Sequence, residues 1–185
     1  MRLTLLLSLA GLIAGCGGTH TQVTGSVGGK SLNALDAVAL SGVTGTGPGK
    51  TGAVIVMIGE QASACTNWTG GKFKSNAALL MLTVGVRGET ATVPPPGTYP
   101  VTTSSSTTGP VGAAVWYVTD DKCKAGSPVP ATSGTIKLDS STDGARGSFD
   151  LKMLDGSALT GSFGATSCLF LTRVLNPDSD STCMP

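Results

Sequence analysis

Apolar positions along this chain fall into short alternating segments, broken by Gly, Pro, Asp and Ser. The clearest lie near the C-terminal end. In residues 134–138, Ile136 and Leu138 point one way and Thr135 and Lys137 the other. Residues 148–153 repeat this with Phe149, Leu151 and Met153, and Asp155-Gly156 is a hairpin signal. Leu159, Gly161 and Phe163 then alternate with Thr160 and Ser162. A period of two is the signature of a strand with one buried face, so this region predicts a three-strand antiparallel meander.

Earlier segments are shorter or less regular. Residues 22–27 alternate into a Gly28-Gly29 turn. Residues 53–58 (AVIVMI) read as a fully buried strand because β-branched residues dominate. Residues 77–86 set Ala, Leu and Met against a Thr-Val-Gly-Val ending, and the lack of caps favours strand. Residues 98–102 read as an edge strand because Pro100 cannot donate to a ladder. Residues 111–119, with Trp116 and Tyr117, and residues 169–175 complete the strands. Residues 36–40 are a short apolar segment, with a short helix from an N-cap at Ser31, carrying Leu32 and Leu35, as the alternative. Residues 43–52, 59–75, 103–110 and 120–133 read as connections. The sum is about nine to eleven short strands, an all-β fold: an antiparallel sandwich or a closed barrel.

The N-terminus breaks this pattern. Arg2 precedes an almost unbroken apolar run over residues 3–13, closed by Ile13-Ala-Gly-Cys16. A charged start, a short apolar stretch and a small-residue site predict a helical secretory signal peptide, too short to span a bilayer. The Ile13–Cys16 segment resembles the lipobox of bacterial lipoproteins cut by signal peptidase II. That resemblance implies that Cys16 becomes the first mature residue, with a diacylglyceryl group on sulfur and an acyl chain such as palmitate on its amine. Gly17 follows where an inner-membrane signal would place Asp, which by the same resemblance favours the outer membrane. The expected organisation is a signal peptide over 1–15, a lipidated tether over 16–21, and a single β-domain over 22–185.

Composition agrees with export. Removing Arg2 with the leader leaves eleven basic and eleven acidic side chains, net zero. Nucleic-acid binding needs clustered cations that this chain lacks. Besides Cys16, the cysteines are Cys65, Cys123, Cys168 and Cys183, an even set suited to disulfides outside the cytoplasm. Three connectivities are open. Cys65–Cys123 with Cys168–Cys183 is favoured, because the second pair would close a short loop on the tail. Zinc is disfavoured, since no two of these cysteines stand two to four apart and the only histidine is His20, in the tether.

Few residues offer chemistry. Residues 45–51 (GTGPGKT) approach a phosphate loop, but Thr44 stands where the first glycine belongs and Pro48 removes an N–H. Residues 139–144 and 176–180 bunch oxygen donors as calcium requires, in runs that equally make turns. Asp120 and Asp121 are neighbours, which on a strand would face opposite ways. No Gly-x-Ser-x-Gly occurs, and no base accompanies a serine or a thiol. Trp68, Trp116, Tyr99 and Tyr117 suit either core or a pocket. Asn67-Trp-Thr69 matches a glycosylation acceptor, which has no meaning in a bacterial lipoprotein.

Residues 25–32 (GSVGGKSL), 36–38, 133–138 (SGTIKL), 147–151 (GSFDL) and 159–163 (LTGSF), ending at Cys168, together resemble a group of uncharacterised bacterial lipoproteins of myxobacterial-type envelopes. The resemblance covers about half of the mature chain and implies scaffold and location only, with no activity to carry over. The expectation is therefore a non-enzymatic, cofactor-free β-domain anchored to the membrane through Cys16. It would face the periplasm or the exterior, as a binding or structural module for an envelope protein or glycan. The alternative is a β-barrel carrier of a small apolar ligand.

Overall fold

The structure is a computed structural model, and it describes residues 20–103, 109–169 and 182–184. The Ile13–Cys16 lipobox, most of the expected 169–175 strand, the oxygen-rich run 176–180 and part of the 103–110 connection lie outside the described residues.

Twelve described strands and one short α-helix follow the chain. They are β1 (Gln22–Val27), β2 (Lys30–Ser31), β3 (Asp36–Thr44), β4 (Thr51–Gly59), α1 (Ala64–Thr69) and β5 (Lys72–Lys74). After these come β6 (Ala78–Arg87), β7 (Gly97–Pro100), β8 (Val111–Val118), β9 (Val129–Ser140), β10 (Gly144–Met153), β11 (Ala158–Ser167) and β12 (Thr182–Met184). A wall runs in the order β10-β9-β8-β6-β4-β3-β11, and β11 returns to β10, so seven strands close a barrel. A closed barrel leaves none of these strands an open edge along its whole length.

The 134–165 region forms the meander that its alternation predicts. Leu151 faces Leu159 across β10 and β11, and Phe149 faces Ile136 across β10 and β9. All four are buried. Elsewhere the structure differs from the sequence expectation in definite ways. The barrel is mixed, because β3 joins β11 in parallel through only Val38–Thr166 and Ala39–Ser167. β1 occupies the remainder of that β11 edge, and β7 shares the β9 edge with β8. Ser31 starts no helix: it lies in β2, and Asp36 opens a nine-residue strand. Strand pairing along all of β4 outweighs what a two-turn helix would gain. Residues 59–75 are also more ordered than expected, forming α1 and β5. β9 begins at Val129 and not after Ser133, lengthened by a bulge beside Met153.

Inward-facing side chains of every barrel strand merge into one core, including Ile58, Leu80, Trp116, Ile136, Leu151 and Phe163. The interior of a barrel this size is narrow enough for side chains to fill. Two glycines make the packing possible where β10 meets β11. Gly147 is paired with Phe163 and Gly161 with Phe149, so each ring lies over the other strand's bare Cα.

A second cluster lies on the outside of β3, β4 and β6. Val38 and Met57 are buried there beneath Ala64 and Trp68 of α1, together with Cys168.

Candidate functional site

α1 is only six residues long and could not persist alone. Ser63, at its N-cap, is in the left-handed region and gives no side-chain cap. The Asp36 carboxylate substitutes, accepting from the Ala64 N–H at 2.8 Å while also accepting from the Ala37 N–H at 2.8 Å. Trp68 lays its ring over Gly59, where a Cβ would stand 2.7 Å from the indole. Its Nε1 donates to Gln61 Oε1 at 3.2 Å, and Gln61 Nε2 donates to the Lys72 carbonyl at 3.2 Å. The buried Gln61 thus joins helix, tryptophan and β5 while leaving no polar atom of its amide idle.

Covalent bonds complete this lobe. Cys65 is bonded to Cys168 and Cys123 to Cys183, across separations of 103 and 60 residues. The favoured pairing of Cys65 with Cys123 and Cys168 with Cys183 is therefore corrected. Its reason, a short loop on the tail, ignored where closure of the barrel puts the chain. The Cys168 N–H bonds to the Ala39 carbonyl, which carries Cys168 into the cluster under α1. β12 pairs in parallel with β5 and brings Cys183 to the 120s loop. Bonds of this kind belong to a non-reducing compartment outside the cytoplasm. No helix among the described residues is long and apolar enough to cross a membrane.

Between this lobe and the barrel rim lies an open cleft of about 330 Å³, solvent mouth included. Glu60, Gln61, Lys74 and Thr119 supply its polar lining, and Trp68 and Phe73 its aromatic one. Each polar group is already engaged. Glu60 accepts from the Asn33 and Ala78 N–H groups at 3.0 Å, with Lys30 Nζ at 3.7 Å. Lys74 Nζ donates to the Glu60 carbonyl at 3.2 Å. The Thr119 hydroxyl donates to the Lys74 carbonyl at 2.7 Å and accepts from the Ala77 N–H at 2.9 Å. These contacts brace two parts of the chain.

Other sequence candidates resolve into structural roles. Residues 45–50 form the β3–β4 hairpin around a single 3₁₀ turn at Gly47–Gly49. Asp120 accepts from the Lys122 and Lys124 N–H groups at 2.8 Å, holding the loop that contains Cys123. Asp139 pairs with Lys137 at 2.9 Å, on the outside of β9. Among the described residues no three His, Cys, Asp or Glu side chains gather as a metal set. His20 is exposed. Trp116 and Tyr99 are core residues, and the Tyr99 hydroxyl donates to the Pro95 carbonyl. Burial pushes the Tyr99 phenol above its ordinary range, so it remains a donor. The Trp116 indole N–H has no hydrogen-bond partner.

The feature that sequence reasoning missed is the exterior of the barrel. β9 and β10 carry Lys137, Asp139, Arg146, Asp150 and Lys152 on their exposed positions. The four strands of the other wall, β3, β4, β6 and β8, hold only Asp36 and Arg87, both at strand ends. Between those ends their outward rows read Val38–Met57–Met81–Val115 and Leu40–Ile55–Thr83–Ala113. The absence of alternation in residues 53–58 and 77–86 was the available signal, since both faces of these strands are apolar.

The fold is therefore a disulfide-stapled, all-β barrel with one charged and one uncharged wall. No family model, curated protein or solved structure matches the chain.

Proposed function

We propose that this chain is a lipid-anchored, non-enzymatic module of the bacterial cell envelope, held at the outer membrane through Cys16. The observation that carries the reading is the pair of disulfides, Cys65–Cys168 and Cys123–Cys183, which suits a chain exported behind a lipobox. Thr21, five residues after Cys16, accepts from the Gly164 N–H at 3.3 Å through its hydroxyl. So short a tether holds the barrel at the bilayer, and confinement raises its local concentration for an envelope protein or glycan. The scaffold resemblance to myxobacterial-type lipoproteins favours the same location. Engagement of Asp36, Glu60 and Asp120 with backbone N–H groups supports a binding or structural role over catalysis.

Palmitate labelling and fractionation of Cys16→Ser test the anchor. Wild type is expected in the membrane fraction carrying label, and the variant unlabelled and unprocessed. A variant that is processed and still held by acyl chains defeats the reading.

One observation favours a second reading, a β-barrel carrier of a small apolar ligand. The Trp116 N–H inside the barrel is a donor without a partner. A carrier would shift Trp116 emission when titrated with an apolar ligand; unchanged emission removes this reading.

A further inference from the structure

The uncharged wall is incompletely covered. Leu40, Ile55, Met81 and Val115 are only half-buried on it, and Thr83 and Ala113 complete its middle row. α1 covers one end, over Val38 and Met57, and Leu40, Ile55 and Met81 pack against that covered cluster while each keeps part of its surface exposed. Water meets the opposite wall through the charged side chains of β9 and β10.

Where the tether emerges decides between occupants. β1 runs antiparallel along β11, so its N-terminal end is the end nearer to Thr166, which pairs with Val38 of β3. Thr21, whose hydroxyl accepts from the Gly164 N–H, therefore stands beside the part of β11 that β3 adjoins. Leu35, 56 % exposed, directly precedes β3 and donates its N–H to the Gly59 carbonyl. Five residue steps span at most roughly 18 Å when fully extended. The uncharged wall thus begins next to the point where the acyl chains hold the protein.

We propose that the outer face of β3, β4, β6 and β8 rests on the lipid surface, with the charged wall turned to water. This rests on the lipid-anchor reading above. A neutral face with half-buried Leu, Ile, Met and Val gains by leaving water and loses no ion hydration in doing so. Acyl chains already confine the barrel, so a modest apolar contact suffices to fix its orientation.

The test places one tryptophan on each wall of the full chain, expressed in a bacterium and purified with its native N-terminus. Thr83→Trp marks the uncharged wall and Ser148→Trp the charged one, with Ala113→Trp as a second probe should the first not fold. Each protein is reconstituted into phosphatidylethanolamine–phosphatidylglycerol vesicles containing brominated phosphatidylcholine, and wild-type emission is subtracted. The Thr83→Trp signal is expected to lose about half its intensity and the Ser148→Trp signal none, as for a group at the headgroup boundary. Equal quenching on both walls, or no quenching at Thr83→Trp and Ala113→Trp, overturns the orientation. The latter is also the result if residues 170–181 or a second copy cover the wall. The mass of the N-terminal peptide is read on the same preparation: an acylated but unquenched protein defeats the orientation alone, and an unacylated one defeats the anchor and the orientation together.

Discussion

At the scale of single residues, two glycines carry more of the barrel than any side chain beside them. A Cβ on Gly147 would stand 1.9 Å from the Lys137 carbonyl oxygen and 2.8 Å from the Phe163 ring. One on Gly161 would stand 2.2 Å from the Gln22 carbonyl and 2.6 Å from Phe149. Backbone cannot yield as a flexible side chain does, so Gly147→Ala or Gly161→Ala should cost about 3 kcal/mol. Thermal unfolding should show this as a fall of roughly 6–12 °C, while Gly42→Ala, with nothing within 4 Å, stays within about 0.5 kcal/mol. Asp155 offers a pH test. Its exposed carboxylate accepts from the Ser157 hydroxyl and N–H and from the Gly28 N–H, which hold it below the ordinary aspartate range. A lowered folded value means stability present above the unfolded pKa and lost as pH falls through the folded one. The melting temperatures of wild type and Asp155→Asn should therefore converge as the pH is taken below the normal carboxylate range. A gap that stays constant would show that the carboxylate's charge is not involved.

Among the elements, α1 depends most on others. Asp36 caps it from β3, and Cys168 ties it to the end of β11. Replacing Cys65 and Cys168 together by Ala should cost about 4–5 kcal/mol by the chain-entropy estimate for such a loop, and replacing Cys123 and Cys183 about 4. Guanidinium titration measures both, and a peptide map without reductant should recover Cys65 joined to Cys168. Recovery of Cys65 with Cys123 would overturn the lobe described above. The helix was not legible beforehand because six residues, ACTNWT, are too few to show an apolar period, and Ser63, a common N-cap residue, gives no side-chain cap. Its acceptor, Asp36, lies 28 residues away. The disulfide partners were equally hidden. Cys168 and Cys183 are near in sequence, yet β11 delivers Cys168 to β3.

The whole molecule was legible where polar and apolar residues alternate. β9, β10 and β11 face the core on one side and water on the other, so their period of two showed both the strands and their inward faces. β4 and β6 announced burial on both sides, but sequence does not say that one side is a barrel interior and the other an exterior wall. Sandwich and barrel were likewise inseparable, because the difference rests on two residue pairs between β3 and β11. Those two pairs have a consequence for how the protein is made. Apart from the β10–β11 ladder, every other wall contact joins strands that are made before β11 is. A partly delivered chain consequently has no means of sealing its own cylinder, and stays threadable until its last wall strand has passed. Locking by oxidation follows in the same order, since each sulfur bridge waits for a cysteine that is delivered after that strand.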